Sequence, residues 1–288
     1  MKKTIIQILL SFFTGVALWS CSSETDAYAK LVSEWQGREI VFPDVMTDMI
    51  TGDTIELSDV DFTILTYVDS LGCSSCKMKL PLWNEFLSQI DSITEYDFNV
   101  IMVVHPSDLR DVLYLAKLNS YEYPIYIDSN DVLNRINDFP EEPMYQSFLL
   151  DKNHTVISIG NPAYLSGIYS LYLSLLSGKK VISNTNNIVD VDENIINLEK
   201  VQVGSSLHRD VLFSNIGNDT VFINKVVASC NCMELVFMEE YLKPNSDIKA
   251  ILNYKADTIP ESIEGTIHIF YKDFESPSVI QIKGLKIN

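Results

Sequence analysis

Hydrophobic positions up to about residue 180 follow two alternating patterns. Runs of β-branched and aromatic residues predict buried strands at Phe62–Val68, Phe98–Val104 and Ile125–Ile127. Two further runs, Phe148–Leu150 and Val156–Ile159, predict a hairpin around a turn at 151–154. Apolar residues at helical spacing predict helices over 26–35, 74–90, 108–118 with Ser107 as N-cap, 132–136, and 164–176 with Gly178 ending the last. This order of elements predicts an α/β domain.

The pattern changes after the polar, Asn-rich stretch 183–187, which predicts a linker. Beyond it no helical pattern recurs, and short alternating runs predict strands at Val211–Phe213, Val221–Val227, Ile248–Leu252, Ile263–Phe270 and Val279–Ile282. Strands of this kind separated by turn signals are typical of an antiparallel β-sandwich. The sequence therefore predicts two domains of different class.

The N-terminus has the pattern of a secretory signal peptide. A basic start at Met1–Lys3 precedes an apolar run, Ile5–Trp19, that is short of the roughly 20 residues a spanning helix needs. The sequence Leu18-Trp19-Ser20-Cys21 resembles a bacterial lipobox, although Trp19 is bulky for its position. The resemblance implies cleavage after Ser20 and a lipid on Cys21; the alternative is an ordinary signal peptide with an unmodified Cys21 thiol.

The net charge of the chain limits which partners it can bind and how it can be held at a membrane. Against 21 Lys and Arg stand 39 Asp and Glu, for a net charge of −18, so nucleic-acid phosphates would repel the chain. Removing residues 1–20 takes away two lysines and no acid, leaving 39 acidic against 19 basic residues and a net charge of −20. Because anionic headgroups also repel such a body, the lipid is what would hold it at a membrane. We expect a lipid-anchored cell-envelope protein that faces the periplasm, on the outer membrane more than the inner, with surface display as a further alternative.

The five cysteines include a CxxC motif, Cys73-Ser74-Ser75-Cys76, directly after a predicted strand and at the start of a predicted helix. The positive end of a helix dipole favours the thiolate, which is the reactive form. A second cysteine one turn further on can resolve a mixed disulfide. The motif is also half of a four-cysteine zinc site, but Cys230 and Cys232 would have to complete it from the other domain.

The surrounding residues make the resemblance more specific. Cys76-Lys77-Met78, with Pro81 five residues after Cys76, resembles the thioredoxin pattern, in which a proline kinks the helix that begins at the CxxC. Strands at Ile40–Phe42 and Phe62–Val68 before the motif resemble the secreted TlpA/ResA-like branch. This resemblance covers residues 38–180, after a tether at 21–37. It implies a redox-active disulfide with Cys73 as the nucleophile and Cys76 as the resolving thiol.

Three positions depart from the thioredoxin pattern. Tyr67 stands where thioredoxin has a buried acid that accepts a proton, and Gly72 replaces the tryptophan common before the motif. The family's cis-proline position falls on Tyr145, two residues after Pro143. Either the loop is rearranged so that Pro143 serves in substrate binding, or the site is degenerate and the cysteines form a permanent disulfide in a scaffold.

The second domain carries a CxC motif. Ser229-Cys230-Asn231-Cys232-Met233 resembles the Ser-Cys-Gly-Cys-Thr hallmark of an uncharacterised bacterial family with an immunoglobulin-like sandwich, with Asn231 and Met233 as departures. Phe213-Ser214-Asn215-Ile216-Gly217 and Gly265-Thr266-Ile267 fit the same family. This resemblance covers residues 196–288, after a linker at 181–195, and implies no activity.

Geometry leaves three roles open for the CxC. On an extended strand, Cα atoms two residues apart lie roughly 6.6–6.8 Å apart, at the upper limit for a disulfide, so a Cys230–Cys232 bond needs a bent backbone. The pair is then structural, a redox relay with the first domain, or a soft-metal site for an ion such as Cu(I) with Met233 as a third ligand. The four histidines, His105, His154, His208 and His268, lack metal-ligand spacing and are expected in turns or at the surface.

These observations predict an α/β thioredoxin-like domain followed by an all-β immunoglobulin-like sandwich in a lipoprotein. We expect a thiol-disulfide oxidoreductase that acts on an envelope protein with thiols or disulfides, and that needs no cofactor. The alternative is a non-catalytic binding or scaffold lipoprotein whose cysteine pairs are structural.

Overall fold

The computed structural model describes residues 23–57, 60–71, 74–106, 108–178, 188–256, 262–274 and 276–287. The signal peptide, Cys21, Gly72, Cys73, Ser107 and the Asn-rich stretch 183–187 lie outside the described residues. Within the described residues, no helix is long and apolar enough to cross a membrane.

The first part of the chain folds around a five-stranded mixed sheet. Its helices and strands are α1 (Ser23–Trp35), β1 (Phe62–Val68), α2 (Ser74–Met78), α3 (Leu80–Ile93), β2 (Phe98–Val104), α4 (Leu109–Leu118), β3 (Ile125–Ile127), α5 (Val132–Asn137), a 3-10 turn (Pro143–Tyr145), β4 (Ser147–Asp151), β5 (Val156–Ile159) and α6 (Ser166–Ser177). The strand order is β3-β2-β1-β4-β5, in which β1, β2 and β3 are parallel and β4 and β5 are antiparallel to their neighbours.

Strand β1 is buried on both faces because helices cover both sides of this sheet. Ile64 and Val68 face one core, with apolar residues of α3, α4 and α6. Leu65 and Tyr67 face a second core, which contains Trp35 from α1. The three layers with β1 at the centre form a thioredoxin-like α/β domain, as expected, with α2 directly after the central strand.

The predicted elements of this domain differ from the structure in three places. No strand forms at Ile40–Phe42; Glu39 makes an isolated bridge to Thr155 instead. Helix α4 begins at Leu109, and its N-cap is Asp108, whose side chain accepts a hydrogen bond from the Arg110 amide; a cap at Ser107 is therefore wrong. The third difference, the break in the helix predicted over 74–90, lies at the CxxC motif.

The second part of the chain is a two-sheet β-sandwich. Its strands are β6 (Val189–Val191), β7 (Ile195–Gln202), β8 (Ser206–Asn215), β9 (Val221–Ala228), β10 (Met233–Phe237), β11 (Tyr241–Leu242), β12 (Ser246–Lys255), β13 (Ser262–Tyr271) and β14 (Ser278–Ile287). One sheet has the order β10-β12-β8-β6 and the other β11-β9-β13-β14-β7. All pairs are antiparallel except β14 with β7, and one core fills the space between the sheets. The fold class, α/β thioredoxin-like followed by all-β sandwich, is confirmed.

The outer face of β9 and β13 packs against the first domain. Phe270 of β13 is 7% exposed and belongs to the core that contains Phe86 and Tyr169 of the first domain. Its ring centroid lies 6.1 Å from that of Tyr169. At the edge of this contact, Lys225 of β9 pairs with Glu85 of α3. The two domains therefore share apolar side chains and do not sit as separate bodies on a linker.

Candidate thiol site at the domain interface

Cys76 lies in α2, the short helix that follows the central strand, and is 5% exposed. The helix predicted over 74–90 is divided here, because Lys79 adopts a left-handed conformation with φ of 49° between α2 and α3. Pro81 falls in the first turn of α3, where a residue without an amide hydrogen is tolerated. The break therefore precedes the proline that was expected to kink the helix. With only five residues, α2 supplies a smaller dipole to the CxxC than the predicted long helix would.

Lys79 is a buried cation between the two domains. Its side chain is fully buried, and Nζ lies 4.0 Å from the centroid of the Tyr164 ring, a cation-π distance. Nζ also donates to the carbonyl oxygen of Glu264 on β13, at 3.4 Å. The positive charge is thus held by one aromatic ring of the first domain and one carbonyl of the second.

Tyr164 lies beside Lys79, and its pKa responds to charge at Cys76. Burial is the main reason that the pKa of Tyr164 lies well above its ordinary value, and negative charge at Glu264, Cys76 and Asp69 raises it further. Among the described residues, its hydroxyl has no hydrogen-bond partner. The residue is a neutral phenol near Cys76.

The segment before the motif borders an open cavity of about 570 Å³. Asp69 and Leu71 line it, and so does Pro140 on the opposite side. Asp69 pairs with Lys77 at 2.5 Å, and its carboxylate also accepts the amide of Leu71 at 2.7 Å. The carboxylate of Asp69 thus fixes the chain immediately before Gly72-Cys73. Leu71, beside this cavity, is 72% exposed.

Tyr67 does not replace the proton acceptor of thioredoxin. Its hydroxyl donates to Asp131 at 2.5 Å, and its ring packs against Phe139 in the core on the other side of the sheet from α3. Burial and this hydrogen bond raise the pKa of Tyr67. A phenol that stays protonated cannot take a proton from a thiol at neutral pH.

Pro143 begins the 3-10 turn, and no cis peptide bond occurs among the described residues. It lines a cavity with Tyr164 and Gly265, so it faces the domain interface. Tyr145, at the family's cis-proline position, packs its ring against Tyr28 at 5.6 Å. The family's proline loop therefore has a different conformation here.

A disulfide joins Cys230 and Cys232 in the turn between β9 and β10. The chain leaves the sheet after Ala228 and re-enters it at Met233, and the bend brings the two Cα atoms to 5.3 Å, within the ordinary range for a disulfide. In this form neither cysteine is a thiolate, which is the state that binds a soft ion. The side chain of Met233 is buried above Gly265, where a Cβ would overlap it.

The structure brings the two cysteine motifs together. The sulfur atoms of Cys76, Cys230 and Cys232 all lie within 4.8 Å of one another. Cys230 is buried like Cys76, whereas Cys232 is partly exposed. From the sequence, the two motifs lie in separate domains, and a relay between them is one of three roles left open for the CxC.

His268 was expected in a turn or at the surface, and the structure places it fully buried on β13. Its Nε2 donates to the carbonyl oxygen of Ala163 at 3.0 Å, and the Thr266 hydroxyl donates to the same oxygen at 2.9 Å. Burial lowers the pKa of His268 to about 3, with the charge of Lys79 acting in the same direction. The signal for this burial is the nearly continuous apolar run Ile267–Tyr271, which is typical of a strand covered on both faces.

Three solved structures each align with half of this chain or less. The thioredoxin domain of a thiol-disulfide oxidoreductase from Bacteroides vulgatus aligns with 49% of this chain and 97% of its own, at 12% identity and a TM-score of 0.39. A thiol:disulfide interchange protein from Bacteroides sp. aligns with 50% of this chain and 93% of its own, at 13% identity and a TM-score of 0.38.

A protein of unknown function from Porphyromonas gingivalis W83 aligns with 34% of this chain at 13% identity and a TM-score of 0.30, and this chain spans 46% of that protein. No curated protein sequence matches the chain. Residues 189–285, which span the β-sandwich, match the family described as "Protein of unknown function (DUF1573)".

Proposed function

We propose that the protein is a cell-envelope lipoprotein that exchanges thiols and disulfides with an envelope protein through Cys73 and Cys76. The observation that carries this proposal is the position of Cys76, buried in the first helix after the central strand of a thioredoxin-like sheet. A macromolecular disulfide cannot reach a sulfur that is 5% exposed. Cys76 therefore suits the resolving role, which leaves Cys73 to meet the partner.

The reaction follows ordinary disulfide exchange. The Cys73 thiolate attacks one sulfur of the partner's disulfide, forms a mixed disulfide and releases the partner's other sulfur as a thiolate. Cys76 then attacks the Cys73 sulfur, which closes the Cys73–Cys76 disulfide and frees the partner as a dithiol. The cavity lined by Asp69, Leu71 and Pro140 provides room for the partner's chain beside the motif.

The test is reduction of insulin by the full mature protein and by single Cys73→Ser and Cys76→Ser variants. We expect turnover by the wild type, none by either variant, and a trapped mixed disulfide with Cys76→Ser alone. Asp108→Asn, at the N-cap of α4, is a control that should keep wild-type turnover. An inactive wild type whose cysteines resist mild dithiothreitol would exclude the oxidoreductase.

The scaffold function is the second candidate, and one observation favours it. The sandwich lies against the resolving cysteine, because the sulfur atoms of Cys230 and Cys232 are within 4.8 Å of the Cys76 sulfur. In a scaffold, the cysteines brace this interface and no partner becomes oxidised or reduced. The insulin assay separates the two functions.

Attachment to the membrane is proposed through Cys21 and a diacylglycerol on its thiol. Mass spectrometry of the mature N-terminal peptide should show the acyl mass, and Cys21→Ala should move the protein from the membrane fraction to the soluble fraction. An unmodified Cys21 in the membrane-bound protein would contradict this attachment.

A further inference from the structure

Two cysteine motifs that are distant in sequence meet at the domain interface. Cys76 comes from α2, and Cys230 and Cys232 come from the β9–β10 turn, with all three sulfurs within 4.8 Å of one another. A thiolate that attacks a disulfide must reach van der Waals contact with one sulfur. A separation of at most 4.8 Å leaves little distance between the Cys76 sulfur and the disulfide.

Hydrogen bonds fix the CxC turn to β13. The Ser229 amide donates to the Thr266 carbonyl oxygen at 2.9 Å, and the Thr266 amide donates to the Ser229 hydroxyl oxygen at 3.0 Å. The Thr266 side chain in turn donates to the Ala163 carbonyl oxygen of the first domain at 2.9 Å. This chain of contacts holds the disulfide over α2 and is independent of any bond between the sulfurs.

The disulfide is also accessible from outside. Cys232 lines a cavity of about 280 Å³ between the domains and a second of about 170 Å³ on the sandwich. Pro81 and Leu118 of the first domain line the larger cavity, and Lys255 lines both. Cys230 lines the larger cavity as well, but it is 8% exposed, whereas Cys232 is the more exposed of the two disulfide cysteines.

We propose that the Cys230–Cys232 disulfide is the internal redox partner of the CxxC motif, so that the sandwich is a second redox centre. This inference rests on the proposed thiol-disulfide function. In the dithiol state of the CxxC, the Cys76 thiolate attacks the Cys230 sulfur; a Cys76–Cys230 bond forms and the Cys230–Cys232 bond breaks. Cys232 leaves as the thiolate because water stabilises the charge at the more exposed sulfur.

The second step restores the first motif to its oxidised form. The Cys73 thiolate attacks the Cys76 sulfur, forms the Cys73–Cys76 disulfide and releases Cys230 as a thiolate, which takes up a proton. Two electrons have then moved from the CxxC to the CxC, and a dithiol protein that reduces the CxxC supplies them. The reduced Cys232 is exposed to a partner at the sandwich surface. Electrons can therefore enter the protein at the CxxC and leave it at the CxC.

The first experiment traps the intermediate in the full mature chain. The double variant Cys73→Ser/Cys232→Ser keeps one cysteine from each motif, Cys76 and Cys230. Under mild oxidation we expect one disulfide between their peptides, detected by mass spectrometry of a non-reduced digest. The matched variant Cys73→Ser/Cys230→Ser keeps Cys76 and Cys232 and should form much less of the bond. A folded Cys73→Ser/Cys232→Ser variant without the Cys76–Cys230 bond overturns the proposal.

The second experiment measures the rate. Fully oxidised protein receives one equivalent of a thioredoxin-type dithiol, and alkylation at timed points reports the reduction of Cys230–Cys232. Because exchange within one chain acts at a high effective concentration, Cys76→Ser should slow this reduction about tenfold or more. Equal rates in the two proteins overturn the relay and leave the insulin assay untouched. An inactive CxxC in the insulin assay with an intact Cys76–Cys230 trap would instead reject the proposed partner reaction.

Discussion

The Nε2 atom of His268 in the sandwich lies 3.0 Å from the carbonyl oxygen of Ala163 in the thioredoxin-like domain. A carbonyl only accepts, so Nε2 carries the hydrogen, and burial keeps the imidazole neutral. Nδ1, on the opposite side of the ring, has no hydrogen-bond partner among the described residues. Protonation of His268 would therefore place a bare charge in the buried interface, near Lys79.

This arrangement makes the folded protein less stable in mild acid. Burial lowers the pKa of His268 from 6.5 to about 3. The unfolded chain takes up this proton below pH 6.5 and the folded chain does not, so stability falls as pH decreases from 6.5 towards 3. The expected loss through this group is about 2 kcal/mol between pH 7 and pH 5.

The measurement is urea unfolding at pH 7 and pH 5 for the wild type and for His268→Gln, which does not titrate and keeps a donor. The wild type should lose about 2 kcal/mol more than the variant over this interval. Parallel losses in the two proteins would contradict a neutral buried His268.

Phe270 is expected to stabilise both domains at once. It is 7% exposed and packs in the core of the first domain. Phe270→Ala should lower the free energy of unfolding by about 3–5 kcal/mol, as for other buried phenylalanines. Phe222, 49% exposed on the neighbouring strand, is the matched control, and Phe222→Ala should change stability by less than about 0.5 kcal/mol. A Phe270→Ala loss as small as that expected for Phe222→Ala would show that the interface does not contribute to stability.

Asn215 explains the Phe-x-Asn-x-Gly signature in physical terms. Its buried Nδ2 donates to the carbonyl oxygens of Asp219 and Leu242, at 2.8 and 2.9 Å, and its Oδ1 accepts from the Gly217 amide at 2.9 Å. Asn215→Ala leaves three backbone groups without partners, so we expect a loss of about 2–4 kcal/mol in urea unfolding. Asn218, exposed in the same turn, is the control. Equal stability of the Asn215→Ala and Asn218→Ala proteins would refute this role.

Asp69 is expected to hold the segment before the CxxC. Its pair with Lys77 has side chains that are 18% and 9% exposed, so solvent screens it less than a surface pair. Asp69→Asn should cost about 1–3 kcal/mol, since it leaves the Lys77 charge largely buried and unpaired. In Asp108–Arg110 the arginine side chain is 89% exposed, and Asp108→Asn should give no measurable change in the same assay. An unchanged Asp69→Asn protein would mean that the amide of Leu71 and neighbouring contacts suffice.

Local patterns predicted most of the fold, and the exceptions have physical causes. The strand β7 was missed because its apolar positions do not keep a period of two: Ile196 and Leu198 are followed by Val201. At this point Glu199 has φ of 57°, and the pairing with β14 shifts at Gly284. A bulge of this kind moves later side chains to the other face, which an alternation pattern cannot anticipate.

The candidate site was predictable only in part. The position of the CxxC after a strand follows from the local hydrophobic pattern, and the need for a bend at the CxC follows from the distance between residues on an extended strand. Both features depend on residues that are close together in the sequence. The meeting of Cys76 with Cys230 depends on how two domains pack, which no local pattern encodes. Lys79 is the clearest example, since a lysine next to a proline gives no sign of a cation buried against Tyr164.

The place of Phe270 in the first domain's core has a consequence for biogenesis. In an exported chain α6 emerges from the membrane before β13, so until the C-terminal strands follow, the first domain lacks the Phe270 ring that packs near Tyr169. Until the C-terminal strands pack against it, this apolar surface stays exposed. Incompletely folded chains with exposed apolar surface are prone to aggregate and to bind chaperones. We expect nonsense mutations before residue 262 to yield fragments that are degraded, and not a stable isolated first domain.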